Sequence, residues 1–256
     1  MEKISEKIKV LVAVVSGFFV VLGLAAPAEA MHIMEGFLPP MWAVIWWVVF
    51  IPFLVASLWS LKKTLAENPR LKMLLALTIA FCFVLSALKL PSVTGSCSHP
   101  TGTGLVVVLF GPLAAALVGF IVLLFQAVLL AHGGLTTLGA NAASMAVAGP
   151  FVGWVFYIAA RKLKLSQSIG VFLAAFMADL STYVVTSLQL AVAFPGAEGG
   201  VMQSFVKFAS IFAVTQLPLA ITEGIITVVV FNLLRNYASE DMELISVWKK
   251  EGSATI

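Results

Sequence analysis

The chain has 256 residues, of which 61% are hydrophobic and only 11% are charged, a composition that excludes an ordinary soluble globular domain and indicates an integral membrane protein. Its net charge of +3 comes from short basic clusters between apolar runs, so we expect cytoplasmic loops and no nucleic-acid partner. The sequence has no Walker-type phosphate loop, which argues against a nucleotide motor on this chain, and we expect no enzymatic activity.

The first thirty residues have the pattern of a secretory signal peptide. Three lysines precede an apolar stretch at 10–24, and Pro27 ends that stretch just before the small residues of an A-x-A site that closes at Ala30. Cleavage after Ala30 makes Met31 the first residue of the mature chain. The alternative is an uncleaved transmembrane helix that begins near Lys9.

Six apolar runs follow, and each is long enough for a helix to cross about 30 Å of hydrocarbon. Because lipid offers no partners to backbone N–H and C=O groups, helices are the expected element. We therefore predict an all-α, polytopic membrane helix bundle, with the membrane-embedded domain at 31–238 and a cytoplasmic tail at 239–256. The runs occupy residues 41–60, 73–90, 105–131, 139–160, 168–194 and 204–234.

Basic clusters between the runs predict the topology. All of them can be cytoplasmic only if the chain makes one more crossing between Leu90 and Ala131. The run there is interrupted at Gly111 and Pro112, which favours a short helix before the break. We predict about seven membrane segments in the mature chain, the third one short, in a bacterial inner membrane with the mature N-terminus outside and the C-terminus cytoplasmic.

The only three histidines of the chain, His32, His99 and His132, would then all lie at or near the outer face. A free amine on Met31 followed by a histidine can bind a divalent ion through the amine, the backbone nitrogen of His32 and an imidazole nitrogen. A further imidazole would complete a four-nitrogen square that suits Ni(II) or Cu(II) and can hold Co(II). His99, in a loop rich in glycine and proline, is the leading candidate for that donor, and His132 is the reserve.

Several polar residues near the histidines are candidates to orient them. Asn141 and Ser144 are placed to hydrogen-bond imidazoles without touching an ion. Glu35 is expected to cap or support the site, because an added carboxylate would crowd a four-nitrogen plane. These three residues therefore complete the predicted metal centre.

Two carboxylates, Asp179 and Glu223, lie inside apolar runs, where an isolated ionised group is costly. One interpretation makes them part of a proton or ion path. Because the sequence shows no ladder of carboxylates, we favour hydrogen bonds to polar neighbours. The neighbours considered are Thr182, Thr186 and Gln216.

The sequence resembles the CbiM family, the substrate-specific S components of energy-coupling factor transporters for cobalt. The resemblance covers nearly all of the mature chain, and it implies that the metal is held by the amine of Met31, the backbone nitrogen and imidazole of His32, and the imidazole of His99. The segments that carry the resemblance are MHIMEGFLPPMWAVIWWVVFIPF, SVTGSCSHPTGTGL, AHGGLTTLGANAASMAVAGP and ADLSTYVVTSLQLA.

The resemblance also implies the transport machinery. It implies a transmembrane T component, ATP-binding A subunits and a small accessory membrane subunit, with Co(II) as the transported substrate for cobalamin biosynthesis and no organic cofactor. A nickel-specific S component is the alternative within this class, because the same nitrogens bind Ni(II). A self-sufficient metal channel or secondary transporter is the alternative outside it.

Overall fold

A computed structural model of the chain describes residues 32–91 and 97–245. The predicted signal peptide and Met31 lie outside these ranges, as does the end of the tail. The described chain is helical apart from one antiparallel pair of two-residue strands, β1 at Leu90–Pro91 and β2 at Cys97–Ser98. The helices are α1 at Pro40–Glu67, α2 at Leu71–Ala87, α3 at Thr103–Phe110, α4 at Pro112–Leu130, α5 at Leu138–Lys162, α6 at Gln167–Ala193, α7 at Gly200–Tyr237 and α8 at Ser239–Glu243.

The all-α membrane bundle predicted from composition is confirmed. Among the described residues, five helices are long and apolar enough to cross a membrane, and α2 is a shorter apolar helix of 17 residues. Helix α3 has eight residues and ends at Gly111, where Pro112 starts α4, as the Gly-Pro break predicts. The number of crossings stays a prediction.

Helix α6 lies at the centre of the bundle, where it packs against α5 and α7. Glycines allow other helices to approach closely. A Cβ on Gly104 would overlap the backbone of Ala175, and a Cβ on Gly119 would lie 2.5 Å from Cβ of Ala146. The contact of Gly119 means that the small residues of α4 pack within this chain, against α5.

The basic clusters that the sequence places in cytoplasmic loops gather at one end of the bundle. Arg70 lies 3.9 Å from Glu240, and Arg235 donates a hydrogen bond of 2.9 Å to Gln167. The first part of the predicted tail packs back on this end, since Met242 is buried against the last turns of α7. An apolar cluster, the basic-end cluster, underlies the contacts and includes Leu71, Tyr157, Val171, Phe231 and Leu234.

Candidate metal centre

The three imidazoles meet at the opposite end of the bundle, although 100 residues separate His32 from His132 along the chain. The ring centroid of His32 lies 4.4 Å from that of His99 and 4.6 Å from that of His132, and the other two centroids are 5.0 Å apart. All three side chains are at most 3% exposed. The site is therefore a buried cluster of nitrogen donors.

The segment after His32 is clamped to α5 through its backbone. The N–H of Ile33 donates to Oδ1 of Asn141 at 2.8 Å, and Nδ2 of Asn141 donates to the carbonyl of Ile33 at 3.0 Å. The hydroxyl of Thr137 donates to the same carbonyl at 2.6 Å. Asn141 thus fixes the backbone beside His32 and makes no hydrogen bond to an imidazole, which differs from the expectation from sequence.

The imidazole of His32 has one hydrogen-bond partner among the described residues. Its Nε2 lies 3.3 Å from Sδ of Met145, and because a thioether sulfur only accepts, Nε2 carries the proton. The other ring nitrogen, Nδ1, is buried and unpaired. Met145 lies in a π-helical stretch of α5, Ala143–Ala148, a local deformation that is frequent at functional sites.

His99 is held in the complementary tautomer. Its Nδ1 lies 2.9 Å from the carbonyl of Pro100, so Nδ1 donates and Nε2 keeps its lone pair. Nε2 is buried without a partner in the described part of the chain. The side chain of His99 therefore has a buried nitrogen with a free lone pair.

The loop that carries His99 is anchored by Glu223, which sequence reasoning did not connect with the histidines. The carboxylate of Glu223 accepts from the N–H of Thr101 at 2.5 Å, from its hydroxyl at 3.0 Å and from the N–H of Gly102 at 2.9 Å. Gly102 has φ +70, and a Cβ there would lie 2.8 Å from Cα of Cys82, so glycine is required.

Asp179 supports the same loop from α6. It accepts from Nε2 of Gln216 at 2.7 Å, and that nitrogen also lies 3.3 Å from the carbonyl oxygen of His99. The predicted hydrogen bond between Asp179 and Gln216 is thereby confirmed. Thr182 and Thr186 instead donate to carbonyls of their own helix. A buried acidic residue in an apolar run was the available signal, and it indicated Gln216 as one of three candidate partners but not the contact of Gln216 with the loop of His99.

His132 enters the cluster from the end of α4. Ala131 adopts a left-handed conformation with φ 47, and the N–H of His132 donates to the carbonyl of Gln126 at 3.1 Å. The next residue, Gly133, has φ +74 and packs against His32, since a Cβ on Gly133 would lie 3.5 Å from Cβ of His32. Nε2 of His132 is buried and has no partner among the described residues.

The remaining predicted site residues lie away from the imidazoles. Glu35 is exposed, and its carboxylate accepts from the N–H of Thr136 at 3.1 Å. Hydrogen bonds from Thr136, first from its side chain and then from its backbone N–H, lower the pKa of Glu35. Ser144 is buried, but its hydroxyl donates to carbonyls of its own helix, those of Ala140 and Asn141. Neither Glu35 nor Ser144 hydrogen-bonds a histidine here.

Burial keeps the three imidazoles neutral at physiological pH. Desolvation lowers the pKa of His99 to about 4 and that of His132 to about 3, and it lowers the pKa of His32 well below its usual value. The positive charge of Lys89 acts in the same direction on each of them. The lone pairs are therefore available to a metal ion without loss of a proton.

The spacing of the nitrogens suits a single ion after a small contraction. One ligand nitrogen from each histidine lies within 4.8 Å of the others. Imidazole nitrogens bind divalent metals at about 2 Å, so two donors of one ion are at most about 4 Å apart. Side-chain movements of less than about 1 Å close that difference, which is within ordinary rotamer adjustment.

Comparison with known proteins identifies the family of the chain. Residues 32–240 match the family model described as CbiM, cobalt uptake substrate-specific transmembrane region. A protein named cobalt transport protein CbiM from Nostoc sp. is 58% identical over 237 residues, which cover 93% of this chain and 91% of that protein. The protein of the same name from Moorella thermoacetica is 63% identical, with 88% of this chain and 86% of the relative covered.

Solved structures share the fold. A crystal structure described as a transition metal transporter aligns with a TM-score of 0.69 and 26% identity, over 80% of this chain and 92% of the other. A truncated transition metal transporter aligns with a TM-score of 0.64 and 28% identity, over 80% of this chain and 99% of the other.

Proposed function

Since the chain belongs to the CbiM family of cobalt uptake transmembrane proteins, we propose that it is the substrate-capture subunit of an ATP-driven energy-coupling factor importer for cobalt. It binds Co(II) at the outer face of the bacterial inner membrane. A transmembrane T component, ATP-binding A subunits and a small accessory subunit then deliver the ion inward for cobalamin biosynthesis.

The observation that carries the proposal is a pair of buried ring nitrogens without a hydrogen-bond partner among the described residues, Nδ1 of His32 and Nε2 of His99. Nδ1 is the ring nitrogen that can close a small chelate ring with the backbone nitrogen of its own residue. Removal of the signal peptide would place the amine of Met31 next in that chelate, and Nε2 of His99 would supply the fourth donor. Met145 and Pro100 favour this arrangement because they accept from the other ring nitrogens, Nε2 of His32 and Nδ1 of His99, and so keep the protons there.

Two alternative functions are a nickel-specific capture subunit and a self-sufficient channel or secondary transporter. A nickel-specific subunit would use the same donors, and ligand chemistry by itself favours Ni(II) over Co(II), so the choice of cobalt rests on the family. A self-sufficient channel or secondary transporter would use Asp179 and Glu223 as an ion path. The engagement of these carboxylates by Gln216 and by the loop after His99 favours a supporting role.

His99→Ala tests the capture site. Purified protein with Met31 as its first residue should lose Co(II) on gel filtration, because one of four in-plane donors is gone. The control is Thr186→Ala, which removes a buried hydroxyl that bonds only its own helix and should leave retention unchanged. Cobalt retained by the His99 variant at the wild-type level would remove His99 from the site.

Uptake assays separate the importer from a channel. Vesicles that contain this chain alone should not accumulate cobalt, whereas vesicles with the T component and ATPase subunits should accumulate it when ATP is supplied. Accumulation by the chain alone, driven by an ion gradient, would support the secondary transporter instead.

A further inference from the structure

We propose that Asp179 is a neutral carboxylic acid in the folded protein and that its proton bridges it to the carboxylate of Glu223. The two side chains then carry one negative charge between them, which lies on Glu223. This acid–carboxylate pair joins α6 to α7 inside the bundle. It involves no metal ion, so the inference does not depend on the proposed function.

The two carboxyl groups are buried and contact each other. Asp179 lies on α6 and Glu223 on α7, two helices that pack together, and each side chain is 0% exposed. The carboxyl group of Asp179 is within hydrogen-bonding distance of that of Glu223. Ionised carboxylates only accept hydrogen bonds, so a hydrogen bond between these two groups needs a proton on one of them.

Electrostatics also requires a proton in this pair. The charge that acts on Asp179 is that of Glu223, which has the same sign. Burial removes the water that would screen the repulsion, and two carboxylates that share a buried site hold one proton between them. An ionised carboxylate inside an apolar segment is costly as well. One member of the pair is therefore a neutral acid.

The hydrogen bonds of the two groups decide which member is neutral. Both oxygens of Glu223 accept, from the N–H and hydroxyl of Thr101 and from the N–H of Gly102, and such donors stabilise an ionised carboxylate. Asp179 accepts from Gln216 at Oδ2, and its Oδ1 is buried without a partner among the described residues. Oδ1 of Asp179 is therefore the oxygen that carries the proton.

The proton makes Asp179 a junction between two side chains of α7. It donates to Glu223 and accepts from Gln216, which lies two helical turns before Glu223 on the same helix. Both partners also bind the loop between α2 and α3, through the backbone of His99, Thr101 and Gly102. Asp179 is thus a positioning residue, and the described contacts include no hydrogen bond from it to an imidazole.

Infrared spectroscopy of the metal-free protein detects the proton directly. A neutral carboxylic acid absorbs above the amide I band, and a carbon-13 label in the carboxyl group shifts that absorption. The chain has two aspartates, Asp179 and Asp241, so labelled aspartate reports on few groups. At pH 7 the wild type should show one neutral-acid band that shifts with labelled aspartate. The band should persist in the control Asp241→Asn and vanish in Asp179→Asn.

Amide substitutions distinguish the two members of the pair by stability. Asp179→Asn should keep the melting temperature of the wild type, because an amide has the shape of the neutral acid, donates to Glu223 and accepts from Gln216. Asp179→Ala should lower the melting temperature by about 4 °C or more, since it leaves buried partners unpaired. Glu223→Gln should also lower it, because the glutamine amide meets the N–H donors of the loop.

Three results would overturn the inference. The first is a wild-type spectrum at pH 7 without a neutral-acid band that shifts with labelled aspartate. The second is such a band that shifts with labelled glutamate instead, which would place the proton on Glu223. The third is a higher melting temperature of Asp179→Asn than of the wild type, which would indicate repulsion between two ionised groups. The wild-type spectra decide the matter even if the variants fail to fold, and cobalt retention by His99→Ala tests the proposed function separately.

Discussion

Two imidazoles of the candidate metal centre, those of His32 and His99, are each held in one tautomer by a hydrogen-bond acceptor that cannot donate. Sδ of Met145 accepts from Nε2 of His32, and the carbonyl of Pro100 accepts from Nδ1 of His99, so the other nitrogen of each ring keeps its lone pair. Position in the sequence predicted that these histidines bind metal. The tautomers follow from contacts that the sequence does not reveal, because Met145 lies 113 residues from His32 along the chain.

Burial of neutral imidazoles makes the metal-free protein sensitive to acid. Unfolded histidines bind protons near pH 6.5, whereas His99 and His132 do so in the fold only near pH 4 and pH 3. Between these values His99 and His132 hold more protons in the unfolded chain than in the fold, so these two residues lower the free energy of unfolding as the pH drops below about 6.5. At pH 4, protonation of His99 in the unfolded chain has lowered the free energy of unfolding by about 3 kcal/mol relative to neutral pH.

Thermal unfolding in detergent with a chelator, followed from pH 7 to pH 4, measures this dependence. The double variant His99→Gln, His132→Gln should lose less stability than the wild type between pH 7 and pH 4, because its side chains at these two positions do not titrate. An equal slope in the double variant would show that other groups cause the acid sensitivity.

At the scale of elements, hydropathy predicts the helices well and their ends less well. The run at 41–60 becomes α1 at Pro40–Glu67, because the helix continues through Lys62 and Lys63 beyond the apolar stretch. The Gly-Pro break predicted the short α3. The π-helical stretch at Ala143–Ala148 has no comparable signal, since its residues are ordinary apolar and small ones.

The loop between α2 and α3 depends on α7 for its shape. Glu223→Gln should weaken cobalt binding by about 10-fold to 100-fold, because the amide end of glutamine would meet a donor, N–H of Thr101 or Gly102, where the carboxylate accepts. Cobalt affinity of the purified variant measures the effect. The matched control is Glu198→Gln, an exposed position that should bind cobalt like the wild type. Equal affinity in the Glu223 variant would mean that the loop keeps its shape without this anchor.

At the scale of the whole molecule, the charge pattern and the histidines divide between the two ends of the bundle. The pairing of Arg70 with Glu240 and of Arg235 with Gln167 lies at one end, and the three imidazoles lie at the other. The sequence predicted this division because lysine and arginine mark the cytoplasmic side. Contacts across the bundle could not be predicted, since they join residues more than a hundred positions apart.

Labelling of single cysteines tests the orientation. In a background with both native cysteines replaced by alanine, a cysteine at Lys162 should react with a membrane-impermeant maleimide only after the cells are opened. A cysteine at Thr136, on the turn beside the metal centre, should react in intact cells. The reverse pattern would place the histidines on the cytoplasmic side and exclude capture of external metal.

The account as a whole depends on a free amine at Met31. The direct test compares cobalt affinity of protein that begins at Met31 with that of protein that keeps residues 1–30, each verified by N-terminal sequencing. We expect tight Co(II) binding by the first and loss of that binding by the second, because no free amine then lies beside His32 to complete the chelate. Equal affinity of the two forms would contradict it.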